Sequence, residues 1–188
     1  MKIELKKKPQ TPIIIQGFPG FGLIGTIVTE FLIEHLKAEQ IGEFVYDDLP
    51  ATVAIHQGKL VKPMAVFHAK KENIIILHTI LAPKGKEWEV SDLIVDLAKK
   101  LKAKKLICIE GVMSPDGDKI YAYGDKKLET IGLKPIQESI VMGVTAGIMA
   151  KYPKVSCLFA ESNSQLPDSK AAAKVIEVLD KYLGLKVN

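Results

Sequence analysis

Two glutamates each close an apolar, strand-like run and open a loop. Glu110 follows Leu106-Ile-Cys-Ile109 and leads into Gly111, and Glu161 follows Val155-Ser-Cys-Leu-Phe-Ala160 and leads into Ser162-Asn163. If the two strands are parallel neighbours, both carboxylates emerge at one edge of the sheet, where α/β proteins usually hold ligands. A carboxylate pair there can move protons or bind a cation. Helix capping or pairing with lysine would occupy the same side chains structurally. Glu110, Gly111, Glu161 and Asn163 are therefore the candidate ligand site, if the chain holds one.

A second candidate is the segment Gly17-Phe-Pro-Gly-Phe-Gly-Leu-Ile-Gly25, set between the apolar run Pro12–Gln16 and a helical periodicity over Thr26–Lys37. Gly20, Gly22 and Gly25 match the spacing G-x-G-x-x-G, and Asp47 or Asp48 lies about where a ribose-binding carboxylate would follow. That reading makes the chain a nicotinamide oxidoreductase or a nucleoside or phosphate ester hydrolase. Two features oppose it: Gly17-Phe-Pro19 separates the strand from the first motif glycine, and antiparallel runs follow where a parallel repeat should. The alternative is a loop whose glycines let strand and helix approach closely, with Phe18 and Phe21 packed or placed at an interface.

The chain's 26 basic residues are all lysine. A phosphate clamp would have to be built without the guanidinium fork, and an arginine finger is excluded within the chain. The lysines lack interleaved aromatics, which argues against a nucleic-acid partner. His35, His56, His68 and His78 show neither HxH nor HxxxH spacing, and Asp116-Gly-Asp118 lacks the later ligands of a calcium loop, so no metal is expected. Ser114, Ser162 and Ser164 sit in no GxSxG elbow. Cys108 and Cys157, both inside apolar runs and without CxxC spacing, read as buried thiols in a reducing compartment. No cofactor is expected.

The elements that must position these residues follow from periodicity. Thr52–His56, Leu60–Ala69 and Asn73–Leu81 read as an antiparallel meander, with Pro63 marking a bulge or edge. A two-residue turn at Lys71-Glu72 pairs His68 with Ile75 and Val66 with Leu77. Glu87–Lys102 and Asp168–Leu183 carry helical apolar stripes, and Ser139–Tyr152 reads as helical despite Gly143 and Gly147, small positions that admit a close neighbour. Gly111–Gly124 reads as loop. With 188 residues and an apolar share of 47%, the expectation is a single α/β domain over residues 1–188, a mixed β-sheet sandwich in three layers. No apolar run approaches the ~20 residues of a membrane span, so the chain reads as cytoplasmic, with no membrane partner.

Three segments together resemble the proteasome assembly chaperone family of the second-subunit type, its archaeal branch in particular. They are Gly17–Gly25; Ile140–Met149 followed by Cys157-Leu-Phe-Ala-Glu-Ser162; and Leu166-Pro-Asp-Ser-Lys-Ala-Ala-Ala173. Gly17, Phe18, Pro19, Gly20, Gly22 and Gly25 carry the opening motif, and Glu161, Pro167, Asp168 and Ala172 the closing one. The resemblance implies a fold like that of nucleoside phosphorylases and related hydrolases without their catalysis. It also implies a homo-oligomer acting in proteasome assembly, with proteasome α subunits as partners. Phe18, Phe21 and Trp88 are candidate interface anchors, because aromatics supply much interface energy. Some archaeal relatives insert a C-terminal hydrophobic-tyrosine-any tripeptide into the proteasome, whereas this chain closes on Lys186-Val187-Asn188. The expected role is thus a non-enzymatic protein-binding module, an assembly factor or a relative with another client.

Overall fold

The continuous apolar run Ile13–Gly17 forms strand β2, and its two neighbouring isoleucines are buried on opposite sides. Ile14 joins one hydrophobic cluster and Ile15 another, both without solvent exposure. A strand covered on both faces reads as unbroken hydrophobicity rather than alternation. The same holds for β7 (Ile74–Thr79), β8 (Lys105–Met113) and β11 (Val155–Ser162), which lie beside β2 in the parallel order β7-β2-β8-β11. The computed structural model describes residues 1–56, 58–114, 117, 119–163 and 165–187. The Asp116-Gly-Asp118 turn, Ser164, the His56 side chain and the terminal Asn188, all weighed in the sequence, fall outside the described residues.

This parallel block is extended antiparallel on both sides. Beyond β7 come β6 (Met64–Ala69), β3 (Glu39–Val45) and β1 (Lys2–Leu5); beyond β11 comes β9 (Ile120–Tyr123), with the two-residue β10 (Lys134–Pro135) outside it. Two helices, α2 (Glu87–Lys100) and α4 (Gly143–Lys151), cover one face through Val90, Ile94, Val144 and Ile148. The other face is covered by α1 (Ile24–His35), α5 (Ser169–Leu183) and the short α3 (Lys126–Thr130), through Val28, Leu32, Leu128, Val175 and Leu179. The result is a mixed α/β fold in three layers.

Several elements differ from the sequence reading. The meander is split at Lys62-Pro63: β4 (Ala54–His56) and β5 (Lys59–Val61) form a separate hairpin, and only β6 and β7 enter the large sheet. Proline lacks the N–H a ladder needs, so the strand ends there instead of bulging. The β6–β7 register does pair His68 with Ile75 and Val66 with Leu77. The α4 helix begins at Gly143, whose φ of +78° favours glycine, and residues 139–142 ahead of it are not helical, Met142 being extended. Gly147 admits a side chain rather than a backbone: a Cβ there would lie 2.2 Å from Ser91 Oγ of α2. The segment Gly111–Gly124, read as loop, contains the end of β8 and all of β9.

Backbone contact between β2 and α1 holds the start of the fold. A Cβ on Gly17 would sit 2.3 Å from the Gly25 carbonyl oxygen, and one on Gly25 would sit 2.9 Å from both Gly17 Cα and the Phe18 carbonyl oxygen. Gly25→Ala is therefore expected to lower unfolding free energy by about 2–3 kcal/mol, the cost of overpacking against atoms that cannot rotate away. Urea denaturation measures this, and a loss below about 0.5 kcal/mol, the scale of an uninvolved surface change, would show that helix and strand separate freely.

Candidate functional site

The carboxyl ends of β2 and β8, the glycine segment, the start of α2 and residues 139–144 enclose a cavity of about 550 Å³. It lies where parallel strands end, the usual ligand position in such sheets. The glycine segment is held there by contacts that leave no room for side chains. Gly22 takes a φ of +65° and is packed against Ser162 and Asp168, while a Cβ on Gly111 would lie 1.9 Å from the Phe21 carbonyl oxygen. Gly20 sits over Glu110: a Cβ on Gly20 would be 2.2 Å from Glu110 Oε1. A phosphate cradled by this loop would thus meet a carboxylate, which sets the geometry against the dinucleotide reading.

Three polar side chains meet at the cavity floor. Thr145 Oγ1, on α4, lies 2.8 Å from Glu110 Oε2 and 3.3 Å from Gln16 Oε1, and its single proton can serve one of them at a time. Gln16 is fully buried, and its Nε2 has no hydrogen-bond partner among the described residues. Burial pushes the Glu110 carboxyl up to about 7, with the Thr145 hydrogen bond pulling the other way. Gln16 and Thr145 were not singled out from sequence. The available signal was a glutamine inside a run that is otherwise isoleucine, since a polar residue in a doubly covered strand needs a partner.

The register pairs Glu110 with Phe159 and Glu161 with Val112, which puts both carboxylates on one side of neighbouring parallel strands. Their side chains nevertheless part. Glu161 accepts hydrogen bonds from the Lys119 N–H at 3.2 Å and the Tyr121 hydroxyl at 3.3 Å. With Asn163 it lines a separate, smaller cavity of about 180 Å³. Glu110 and Gly111 belong to the larger one.

The closing motif is drawn to the glycine segment. Asp168 caps α5 by accepting from the Ala171 N–H at 2.9 Å, accepts from Ser162 Oγ at 2.6 Å, and donates its own N–H to the Gly22 carbonyl at 2.9 Å. The Ser162 hydrogen bond, followed by the Ala171 amide, holds its carboxyl below the usual range. Pro167 precedes this cap at the surface, and Ala172 is buried on α5. Phe18 is not an exposed anchor. It is buried and packs edge-on against Phe44 with ring centres 6.1 Å apart, because the segment turns inward there. Phe21 is half-buried in the cavity wall, and Trp88 is 61% exposed with Lys151 Nζ 4.7 Å above its ring.

The three histidines whose side chains are described, His35, His68 and His78, are dispersed. His68 pairs with Asn73 at 3.2 Å and His35 contacts the Leu185 carbonyl at 3.4 Å. His78 Nδ1 lies 2.8 Å from Thr29 Oγ1, which also lies 2.9 Å from the Gly25 carbonyl oxygen. Burial pushes this imidazole down to about 4. The thiols of Cys108 and Cys157 lie buried side by side in register on β8 and β11. Among the described residues no helix is long and apolar enough to cross a membrane.

The chain matches the PAC2 family over residues 14–188. It is similar to Pyrococcus furiosus PbaA, described as an archaeal homolog of proteasome-assembly chaperone, with 30% identity and a TM-score of 0.87 over 99% of this chain and 88% of that one. An uncharacterized protein of Methanocaldococcus jannaschii is 28% identical over 95% of this chain and 78% of its own length. Pyrococcus furiosus PbaB, described as an archaeal proteasome activator, shares the fold at 23% identity with a TM-score of 0.81, covering 100% of this chain and 90% of that one.

Glu110 and His78 give stability opposing pH slopes. From the usual 4.5 up to about 7 the folded protein keeps a Glu110 proton that the unfolded chain releases, so stability falls as pH rises. From the usual 6.5 down to about 4 the unfolded chain binds a proton that folded His78 refuses, so stability falls as pH falls. Each amounts to roughly 3 kcal/mol across its full window. Glu110→Gln leaves the histidine slope uncompensated. Urea titrations should show the variant losing roughly 2–3 kcal/mol between pH 6.5 and 4.5 while the parent stays closer to level; parallel profiles would mean that Glu110 ionises normally.

Proposed function

The chain belongs to the PAC2 family, and from that membership we propose that it is a non-enzymatic, proteasome assembly chaperone-like protein that works by binding other proteins. The observation that carries this reading is the match to PbaA, which runs through nearly the whole of both chains at 30% identity and preserves the fold with a TM-score of 0.87. The cavity chemistry supports it. Glu110 stands where the loop would have to receive a phosphate, which sets the cavity against a nucleotide or phosphate ester substrate.

In this reading residues 1–188 act as one α/β unit, related in architecture to nucleoside phosphorylases, in the cytoplasm. Proteasome α subunits are the partner, and the chain self-associates as a homo-oligomer through exposed aromatic surface that includes Trp88. Glu161, Pro167, Asp168 and Ala172 tie the glycine segment to α5 and shape the surface around it.

Affinity capture from the native host with the tagged chain tests the proposal. Proteasome α subunits are expected among the retained proteins, and light scattering is expected to give a mass above that of the 188-residue monomer. Recovery of no α subunit contradicts the partner, and a monomer contradicts self-association. Thermal-shift measurements with nucleotides separate the reading from a small-molecule enzyme. A nucleotide at ~100 times its dissociation constant would add ~2.7 kcal/mol of stability; no shift is expected.

A further inference from the structure

The cavity floor is rich in acceptors and short of a cation. Glu110 makes no ion pair among the described residues, although Lys84 stands at the cavity wall. The one Thr145 proton lies between two oxygens, while Gln16 Nε2 has no partner among the described residues. Turning the Gln16 carboxamide over resolves this when Glu110 is ionised: Nε2 then donates to Thr145 Oγ1, and the Thr145 hydroxyl donates to Glu110. The remaining open groups are the Glu110 carboxylate and the Gln16 carbonyl oxygen. Around them the walls are apolar, including Phe21, Val112 and Val144.

We propose that this cavity is a socket for an arginine side chain carried by a protein partner. The proposal rests on the protein-binding reading above and names the chemistry of the partner. A guanidinium offers five donors in a planar fork and is shed of water more readily than an ammonium, which suits two buried acceptors under apolar walls. The chain contains no arginine, so the guest is a different protein and not a second copy. The mouth favours a polypeptide over a free guanidine: Met113, Ile140 and Met142 surround it at 76%, 88% and 78% exposure, and a segment flanking the arginine would cover them.

The titratable and charged groups around Glu110 are Cys108 on its own strand, Cys157 and Glu161 on β11, Lys84 before α2, and Glu87 on α2. The glycine segment, β2 and the first turns of α4 contribute none. A bound cation selects the ionised carboxyl, so binding expels a proton wherever Glu110 was protonated.

Calorimetric titration of the full chain uses a seven-residue peptide with one central arginine flanked by leucines, and matched peptides carrying citrulline or lysine instead. The arginine peptide is expected to bind at least about tenfold more tightly than either, one factor of ten being about 1.4 kcal/mol. Its affinity should fall between pH 8 and pH 5, approaching about tenfold per pH unit once Glu110 is protonated. Glu110→Gln, nearly isosteric, should abolish the preference for arginine over citrulline while its thermal unfolding stays cooperative. Ile140→Ser with Met142→Ser should weaken the peptide but leave N-acetylargininamide unchanged. Equal binding of the arginine and citrulline peptides overturns the proposal, as does an unaltered preference in Glu110→Gln. N-acetylargininamide binding as tightly as the peptide overturns the assignment to a protein partner. If α subunits are captured but no arginine peptide binds, the socket fails and the protein-binding reading stands; if the peptide binds but no α subunit is captured, the socket stands and that choice of client fails.

Discussion

Backbone-to-backbone contact at the carboxyl end of β2 governs the rest of the molecule. Gly17 and Gly25 touch where the strand turns into α1, and Gly111 of β8 lies against the Phe21 carbonyl, so the segment between them is pressed onto the sheet. Side chains at these positions would hold the segment off by the thickness of a methyl group. Held down, it places Gly20 over Glu110, carries Phe18 into the core, and lets Gly22 accept the Asp168 N–H that anchors α5. The glycines thus tie α1 and α5 of one helical layer to the sheet, and the cavity is what remains open beside them.

That arrangement costs stability at one point. Glu110 is held in an environment that disfavours its charge, and one end of the Gln16 carboxamide has no partner among the described residues. Groups left in this state inside an otherwise well-packed core are candidates for function, because replacing them with apolar residues would be simple and stabilising. Elsewhere among the described residues the buried side-chain polar atoms are satisfied: Asp125 caps α3 and meets Lys105 and the Tyr182 hydroxyl, and Ser91 donates to the Val144 carbonyl at 2.9 Å to fasten α4 onto α2. The contrast separates side chains that hold the fold from those that await a partner.

The parallel core was legible in sequence because double-sided burial writes unbroken isoleucine and leucine runs, and the long amphipathic helices α2 and α5 because their stripes repeat over several turns. The β6–β7 register followed from a turn of charged residues. Short elements escaped: β1 alternates over only four residues beside a lysine cluster, and α3 has a single buried residue, Leu128. Residues 139–142 were misread because an apolar run before Gly143 looks the same whether extended or helical. The candidate site was half legible. Glu110 announced itself as a carboxylate at a strand end, but its separation from Glu161 and its union with Gln16 and Thr145 depend on α4 docking 35 residues away in sequence.

The family resemblance carried by the glycine segment and the Pro167-Asp168 cap therefore has a physical content: these residues build one edge of the sheet into a stable, shaped surface. Hydrogen–deuterium exchange on the chain with and without the host's proteasome α subunits tests that claim most directly. Slowed exchange is predicted over residues 18–23 and 137–144, with α1 and α5 unaffected. Protection confined to the α1–α5 face, with the cavity mouth exchanging as in the free chain, would contradict it.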